Sequence, residues 1–281
     1  MATTPERKKI TVPEVQAARG KRKLLMLTSY DYPMGLLADR AGIDILLVGD
    51  SVGMTTLGYD STLPVTMDMM IHHAKAVRRA VKYALLIGDM PFMSYQTTVA
   101  DAVYNAGRFF KEAECEAVKL EGGVEMCEKV HAMVECGMPV MGHLGLTPQS
   151  MHRLGGFKMQ GRDFSTAQQI ISDAKALEAA GAFAILLEAI PDRVAKIITE
   201  RAHIPIIGIG AGPHVDGQLL IVHDLVGFFD KFQPRFSKKY CDLNKIIGEA
   251  LGQYKAEVES GAFPAPEHTF TIKDEELAKI Q

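Results

Sequence analysis

Eight short apolar runs, separated by stretches of helical periodicity, recur along this chain, and that alternation limits its fold more than any other feature. The runs are Leu24–Ser29, Ile45–Asp50, Ala84–Asp89, Ala117–Glu121, Pro139–Gly145, Ala184–Glu188, Pro205–Gly210 and Leu225–Phe229. Runs of Leu, Ile and Val this short predict strands buried on both faces, as in parallel sheets. Between them, Met67–Lys82 behind Thr66, Thr98–Glu114 and Thr166–Ala180 predict helices. Ser165 is the expected cap of the last, Gln168 falls at the capping-box position, and Gly181 supplies the stop. Its Ile170, Ile171, Ala174 and Leu177 share one face. Strand–helix alternation implies parallel strands joined by right-handed crossovers. Eight such units predict an α/β protein, a closed (β/α)8 TIM barrel. An open doubly wound sheet is the rival, but Gly208-Ile-Gly-Ala-Gly-Pro213 puts proline where a dinucleotide fingerprint needs its last glycine.

A chain of 281 residues suits one such barrel. The expected division is an N-terminal arm with a short helix at 1–23, a catalytic barrel at 24–258 and a C-terminal tail at 259–281. The helix, Val12–Arg19, is placed to cover the barrel floor. Residues 237–258 form the expected final helix, and Pro264 and Pro266 mark the tail. The formal charge is −3, with no basic stripe interleaved with aromatics, so no nucleic-acid partner is expected. No apolar run reaches the roughly 18 residues of a membrane span. The opening Met-Ala-Thr-Thr-Pro-Glu-Arg-Lys-Lys lacks the apolar centre of a signal peptide. Cys115, Cys127, Cys136 and Cys241 show no Cys-x-x-Cys spacing and suit the reduced thiols of a cytoplasmic protein. The first three fall in helical patterns, as packing residues, and thiolate zinc is not expected.

Barrel chemistry sits at the C-terminal rim. Asp50, Asp89 and Glu121 close the second, third and fourth runs, so a barrel places them side by side there. Buried carboxylates are costly unless paired. Three together, offering only oxygen, point to a hard divalent cation, Mg2+ or Mn2+ rather than zinc. The plainer reading is that each caps a helix or pairs with a basic residue. Lys119 precedes Glu121 by two residues and shares its face of the strand. It either anchors the carboxylate of an anionic substrate or pairs with the acids. Glu188 closes the sixth run, away from the cation, where apolar walls would raise its pKa and make it a general base. A salt bridge is the alternative. His143, ending the fifth run, suits either a hydrogen bond to substrate or a satisfied rim position. Two long connections, Ser51–Thr66 and Leu146–Phe164, leave the same rim, a length often used for lids. A cation, a cationic anchor and a base together suit a 2-oxo acid whose carbonyl is polarised so that the adjacent carbon can be deprotonated. The resulting enolate attacks an electrophile that residue chemistry does not name.

The motifs Val48-Gly-Asp-Ser-Val-Gly-Met, Gly58-Tyr-Asp-Ser-Thr-Leu-Pro-Val-Thr, Gly88-Asp-Met-Pro-Phe, Val118-Lys-Leu-Glu-Gly-Gly, Gly142-His-Leu-Gly-Leu-Thr-Pro-Gln-Ser and Gly208-Ile-Gly-Ala-Gly give the chain a specific likeness. From Met26 to Phe236 it resembles the 3-methyl-2-oxobutanoate hydroxymethyltransferase (ketopantoate hydroxymethyltransferase) family. The resemblance implies a TIM barrel that binds one Mg2+ per subunit. It implies hydroxymethyl transfer from 5,10-methylenetetrahydrofolate to 3-methyl-2-oxobutanoate, giving 2-dehydropantoate on the way to pantothenate. Under it Asp50, Asp89 and Glu121 surround the metal. Asp50, Ser51, Asp89 and Lys119 hold the oxo acid, and Glu188 accepts the proton. A cytoplasmic homo-oligomer, commonly a decamer, is the implied assembly. Two other readings compete. One is a lyase or mutase of the phosphoenolpyruvate mutase and isocitrate lyase type. Its reactive cysteine is missing from Met90-Pro-Phe-Met-Ser-Tyr-Gln. The other is a non-catalytic scaffold barrel, which would have no need of the complete acid set.

Overall fold

The computed structural model describes residues 7–280; the reading of the arm at 1–6 and of the last residue falls outside them. Eight parallel strands close into a barrel in chain order. They are β1 Leu24–Thr28, β2 Ile45–Val48, β3 Leu85–Asp89, β4 Ala117–Glu121, β5 Val140–Gly145, β6 Ala184–Glu188, β7 Ile206–Ile209 and β8 Gly217–Leu220. The helices are α1 Val12–Ala18, α2 Tyr32–Ala41, α3 Val52–Thr55, α4 Met67–Arg78, α5 Val99–Ala113, α6 Cys127–Glu135, α7 Met151–Leu154, α8 Phe164–Ala179, α9 Asp192–Arg201, α10 Val222–Val226, α11 Leu243–Ser260 and α12 Asp274–Leu277. One compact unit runs to Val222 and takes in Pro234–Ser237; the other comprises His223–Gln233 and the chain from Lys238 on. No helix among the described residues is long and apolar enough to cross a membrane.

Alternation along each strand builds the barrel interior. Leu24, Met26, Ile45, Leu47, Leu85, Ile87, Ala117, Met141, Ala184, Leu186, Ile207, Ile209 and Leu219 form one buried cluster. Val15 and Ala18 of α1 join it. The expected helix over the floor is therefore present, and it seals the N-terminal end of the barrel. Two residues further along the same faces, the inward positions turn polar: Asp89 follows Ile87, Lys119 and Glu121 follow Ala117, His143 follows Met141, and Glu188 follows Leu186. Each fully buried aliphatic side chain contributes about 1.5–3 kcal/mol, whereas an uncompensated buried ion costs several. The lower layers thus supply the stability that the charged top layer consumes.

Glycines on the outer face allow close helix packing behind that layer. A Cβ on Gly88 would lie 2.3 Å from the Phe109 ring of α5, and one on Gly142 would lie 2.8 Å from Leu177 of α8. The Gly-Asp pair of β3 thus combines a helix seat outside with a carboxylate inside.

The structure corrects several local expectations. The eighth strand is Gly217–Leu220, not Leu225–Phe229. It is short and not apolar throughout, and a Cβ on Gly217 would lie 2.7 Å from the Leu24 carbonyl, so only glycine fits where β8 meets β1. Leu225 and Val226 belong instead to α10. Helix α8 starts at Phe164 and is capped by Asp163, not Ser165; the Asp163 carboxylate accepts from Thr166 N at 3.0 Å. Helix α11 starts later than expected because Asp242 caps it, accepting from Lys245 N at 3.2 Å. Cys115 is buried in the turn before β4, with burial pushing its thiol up to about 12, whereas Cys136 is exposed and is no packing residue.

Candidate active site

The parallel register brings the rim residues together. Asp89 pairs with Lys119 across β3 and β4, Glu121 with His143 across β4 and β5, and Gly145 with Glu188 across β5 and β6. Asp50 lies just beyond β2, in the turn that opens α3. Asp50, Asp89, Lys119, Glu121 and His143 are each at most 4 % exposed. Glu188 is more open, with 16 % of its side chain accessible.

The carboxylates are individually fixed. Asp50 N donates to Asp89 Oδ2 at 3.0 Å. Gln149 N donates to Glu121 Oε2 at 3.0 Å, and Gln149 Nε2 donates to Asp50 Oδ2 at 2.9 Å. Lys119 Nζ stands 2.8 Å from Asp89 Oδ1. That approach is an ion pair off the hydrogen-bond axis, because Asp89 Oδ1, like Glu121 Oε1, is buried without a hydrogen-bond partner. Asp50 and Asp89 are thus joined, while Glu121 is anchored through Gln149. Among the described residues no three His, Cys, Asp or Glu side chains close on a single point as a ready ligand set.

Electrostatics follow from burial. Asp50 is pushed well above the usual carboxylate range, first by desolvation and then by the charges of Asp89 and Glu121. Burial likewise pushes Glu121 up to about 8, with Lys119 opposing and Asp89 reinforcing the shift. Burial alone would lower Lys119, but Asp89, Glu121 and Asp50 outweigh it, and the ammonium is held more firmly than in water. One ammonium therefore faces three buried acids. An excess of negative charge on oxygen atoms without donors is what a hard divalent cation would relieve, so the residues present fit such an ion.

His143 connects this cluster to Glu188. Its Nδ1 lies 3.3 Å from Lys119 Nζ and 3.5 Å from Glu121 Oε1, and its Nε2 lies 3.2 Å from Glu188 Oε2. Lys119 can only donate, so Nδ1 accepts and the proton resides on Nε2, facing Glu188. The Nε2 approach is also off axis, without a formed hydrogen bond. Burial, then the Lys119 charge, lowers the pKa of His143 and keeps it neutral. The Glu188 backbone is pinned by Leu146 N, which donates to its carbonyl at 2.8 Å. Gly145 lies so near that a Cβ there would be 2.2 Å from that carbonyl. Ser51, at the rim, pairs its Oγ with Tyr30 Oη at 2.8 Å. The Gly208–Gly212 run is a tight turn, its space taken by Phe236 and Asp192.

Two residues absent from the sequence-based site complete it. Tyr95, fully buried in the loop after β3, donates to Gln149 Oε1 at 2.6 Å and accepts from Glu121 N at 3.1 Å. Gln149, in the turn after β5, bonds Asp50, Glu121 and the Met90 carbonyl. Neither lies on a periodic element. Gln149 falls within the Gly142–Ser150 motif, and Tyr95 lies in the loop Met90–Gln96, but nothing in either stretch marks the side chain as reaching the acids.

The family described as ketopantoate hydroxymethyltransferase matches residues 9–266. A 3-methyl-2-oxobutanoate hydroxymethyltransferase of Syntrophobacter fumaroxidans (strain DSM 10017 / MPOB) is 56% identical over 272 residues, covering 97% of this chain and 96% of that one. One of Moorella thermoacetica (strain ATCC 39073 / JCM 9320) is 55% identical over 267 residues, covering 94% and 99%. Among solved structures, a phosphonopyruvate hydrolase superposes with a TM-score of 0.61 at 13% identity, over 97% of this chain and 94% of that one. A phosphonopyruvate hydrolase complex with oxalate and Mg++ gives 0.59 at 14% identity, over 92% and 93%. At such identities the structural likeness speaks to the barrel alone. The match along almost the whole length and the identity to these relatives settle membership: the chain belongs to the ketopantoate hydroxymethyltransferase family.

Proposed function

We propose that this chain is a 3-methyl-2-oxobutanoate hydroxymethyltransferase, moving a hydroxymethyl group from methylenetetrahydrofolate to 3-methyl-2-oxobutanoate to give 2-dehydropantoate for pantothenate synthesis. The observation that carries the reading is the buried excess of carboxylate at one rim, Asp50, Asp89 and Glu121 against Lys119, with Glu188 set beyond His143. Asp50 and Asp89, supported by Glu121, would hold a divalent cation, taken as Mg2+. When bound, that ion supplies Lewis acidity toward the ketone of the oxo acid.

The chain's own residues do the rest. Lys119 attracts the substrate carboxylate while remaining paired to Asp89. Ser51, positioned by Tyr30, offers a hydroxyl to the same group. Glu188 takes the proton from C3 of the oxo acid, and the neutral imidazole of His143 steadies the Glu188 carboxylate from the side. A carbon–carbon bond then forms between C3 and the one-carbon unit, both bonds from that carbon to the folate nitrogens break, one water supplies the hydroxyl oxygen, and tetrahydrofolate leaves. The loops Ser51–Thr66 and Leu146–Phe164 leave the same rim, and the second carries Gln149, which bonds Asp50 and Glu121.

The test is incubation of the purified protein with 3-methyl-2-oxobutanoate and Mg2+, with and without methylenetetrahydrofolate, followed by mass spectrometry. Folate-dependent 2-dehydropantoate is expected. Folate-independent carbon–carbon cleavage would instead favour the lyase and mutase chemistry.

Cytoplasmic residence and self-assembly belong to the same proposal. Helix α11 has no buried residue, yet Ile246, Leu251, Tyr254 and Val258 recur at helical spacing and are exposed. Such an apolar stripe marks an interface, and a second copy of the chain is its proposed cover. Light scattering is expected to give a mass several-fold above 30.7 kDa. The double substitution Ile246→Glu and Leu251→Glu is expected to lower that mass with unchanged circular dichroism. An unchanged mass would remove α11 from the interface.

A further inference from the structure

Each of the three buried acids has one oxygen engaged by an N–H group and the other left to something else. The engaged atoms are Asp50 Oδ2, held by Gln149 Nε2; Asp89 Oδ2, held by Asp50 N; and Glu121 Oε2, held by Gln149 N. The remaining Asp89 Oδ1 and Glu121 Oε1 are buried and form no hydrogen bond, Asp89 Oδ1 facing the Lys119 ammonium at 2.8 Å and Glu121 Oε1 facing His143 Nδ1 at 3.5 Å. Two of the three caps come from one residue, Gln149, which is 5 % exposed.

The orientation of the Gln149 amide is determined by its surroundings. Its NH2 group donates to Asp50 Oδ2 and to the Met90 carbonyl, both at 2.9 Å. Its Oε1 accepts from Tyr95 Oη at 2.6 Å and from Gln96 Nε2 at 3.1 Å. All four hydrogen-bonding positions of the amide are therefore used. Turned over, the amide would set its oxygen against a carboxylate and a carbonyl and set its NH2 against another NH2. Such a fully satisfied buried network is rigid.

A carboxylate with one oxygen already held by an N–H group presents its other oxygen to a cation more readily than both together. Mg2+ takes single oxygens in a strict octahedron, whereas Ca2+ accepts six to eight oxygens and readily takes both oxygens of one carboxylate. We propose that Gln149 is a positioning residue that makes Asp50 and Glu121 one-oxygen ligands and thereby selects a small octahedral cation over Ca2+. This inference rests on the cation reading given under the proposed function. It assigns Gln149 no contact with substrate.

The test is calorimetric titration of chelator-stripped protein with MgCl2 and, separately, CaCl2. The wild-type chain is compared with Gln149→Met, which keeps the volume and loses both amide groups, and with Gln149→Asn, which keeps an amide one carbon too short to reach Asp50. Both variants keep the backbone N–H that caps Glu121, so among the three acids Asp50 alone loses its cap, together with the amide bonds to Met90, Tyr95 and Gln96. Mg2+ affinity is expected to fall about 10–100-fold, the usual cost of removing a group that orients a ligand. Ca2+ affinity is expected to fall less, so the Mg2+/Ca2+ preference shrinks. Where Gln149→Met does not fold, Gln149→Asn decides. A folded variant with unchanged Mg2+ affinity and unchanged Mg2+/Ca2+ preference overturns the proposal while wild-type binding leaves the cation reading standing. If wild-type protein takes up neither ion, the cation reading itself fails and this inference with it.

Discussion

Glu188→Gln is expected to slow deuterium exchange at C3 of 3-methyl-2-oxobutanoate by about 10²–10⁴-fold, the usual contribution of a positioned base. The substitution keeps the size and shape of the side chain. It leaves the Leu146 N bond to the 188 carbonyl untouched, because that bond is made by backbone. It also leaves Asp50, Asp89 and Glu121 in place, so Mg2+ binding and the melting temperature are expected to stay near wild type. Proton NMR in heavy water with Mg2+ and no folate reads the step directly, because exchange requires only proton removal and return. Hydroxymethyl transfer in the complete mixture should fall by the same factor if proton removal limits it. A variant that exchanges at the wild-type rate would place the base elsewhere. His143 does not replace Glu188 in this role: its Nδ1 faces the Lys119 ammonium and its Nε2 carries the proton, so the neutral ring has no lone pair directed at substrate.

Seven of the eight strands and most of this site were legible in the sequence for one reason. A strand buried on both faces is written as an unbroken apolar run, and the first polar residue on its inward face marks the rim. Asp89, Lys119 and Glu188 each announced themselves in that way, and the two-residue spacing placed Glu121 beside Lys119. Strand β8 did not, because Gly-Gln-Leu-Leu is closed by the contact of Gly217 with β1 and not by apolar content. Gln149 and Tyr95 were illegible for a different reason. Their side chains reach the acids only because loops from β5 and β3 converge, and no local periodicity encodes that meeting. The loop after β3 is shaped by its own bonds: Ser94 Oγ donates to the Pro91 carbonyl at 2.6 Å, and Asn105 Nδ2 to the Ser94 carbonyl at 2.7 Å. The contact between His143 and Glu188 needed the register of β5 on β6, which a list of strands does not contain.

Stability of the cation-free protein is expected to fall as pH rises from about 6 to about 8, and Lys119→Met is expected to deepen that fall. The sign follows from Glu121, whose carboxyl is pushed from 4.5 up to about 8 on folding. Between those values the folded chain keeps a proton that the unfolded chain has released, so raising the pH favours unfolding. The slope for one such proton is about 1.4 kcal/mol per pH unit, or about 3 kcal/mol over the interval. The effect is absent below the lower value, where both states are protonated, and is complete above about 8. Asp50, raised by burial and by its acidic neighbours, acts in the same direction. Lys119 is the ammonium that offsets these charges, 2.8 Å from Asp89 and almost wholly buried. Replacing it with Met removes one partner of a buried pair, which costs about 3–5 kcal/mol when the remaining charge cannot be shed. At the acidic end of the range the acids can take up protons and soften the loss. At the alkaline end keeping those protons costs more, so the difference between variant and wild type should widen with pH. Adding Mg2+ should raise the melting temperature of both proteins most at the alkaline end, where the ligand oxygens are charged and binding to the folded state adds stability by mass action. Thermal unfolding followed by circular dichroism, at both pH values with chelator and with Mg2+, measures all of these terms. A melting temperature for the cation-free protein that does not drop between them would mean that Glu121 and Asp50 are already compensated without an ion.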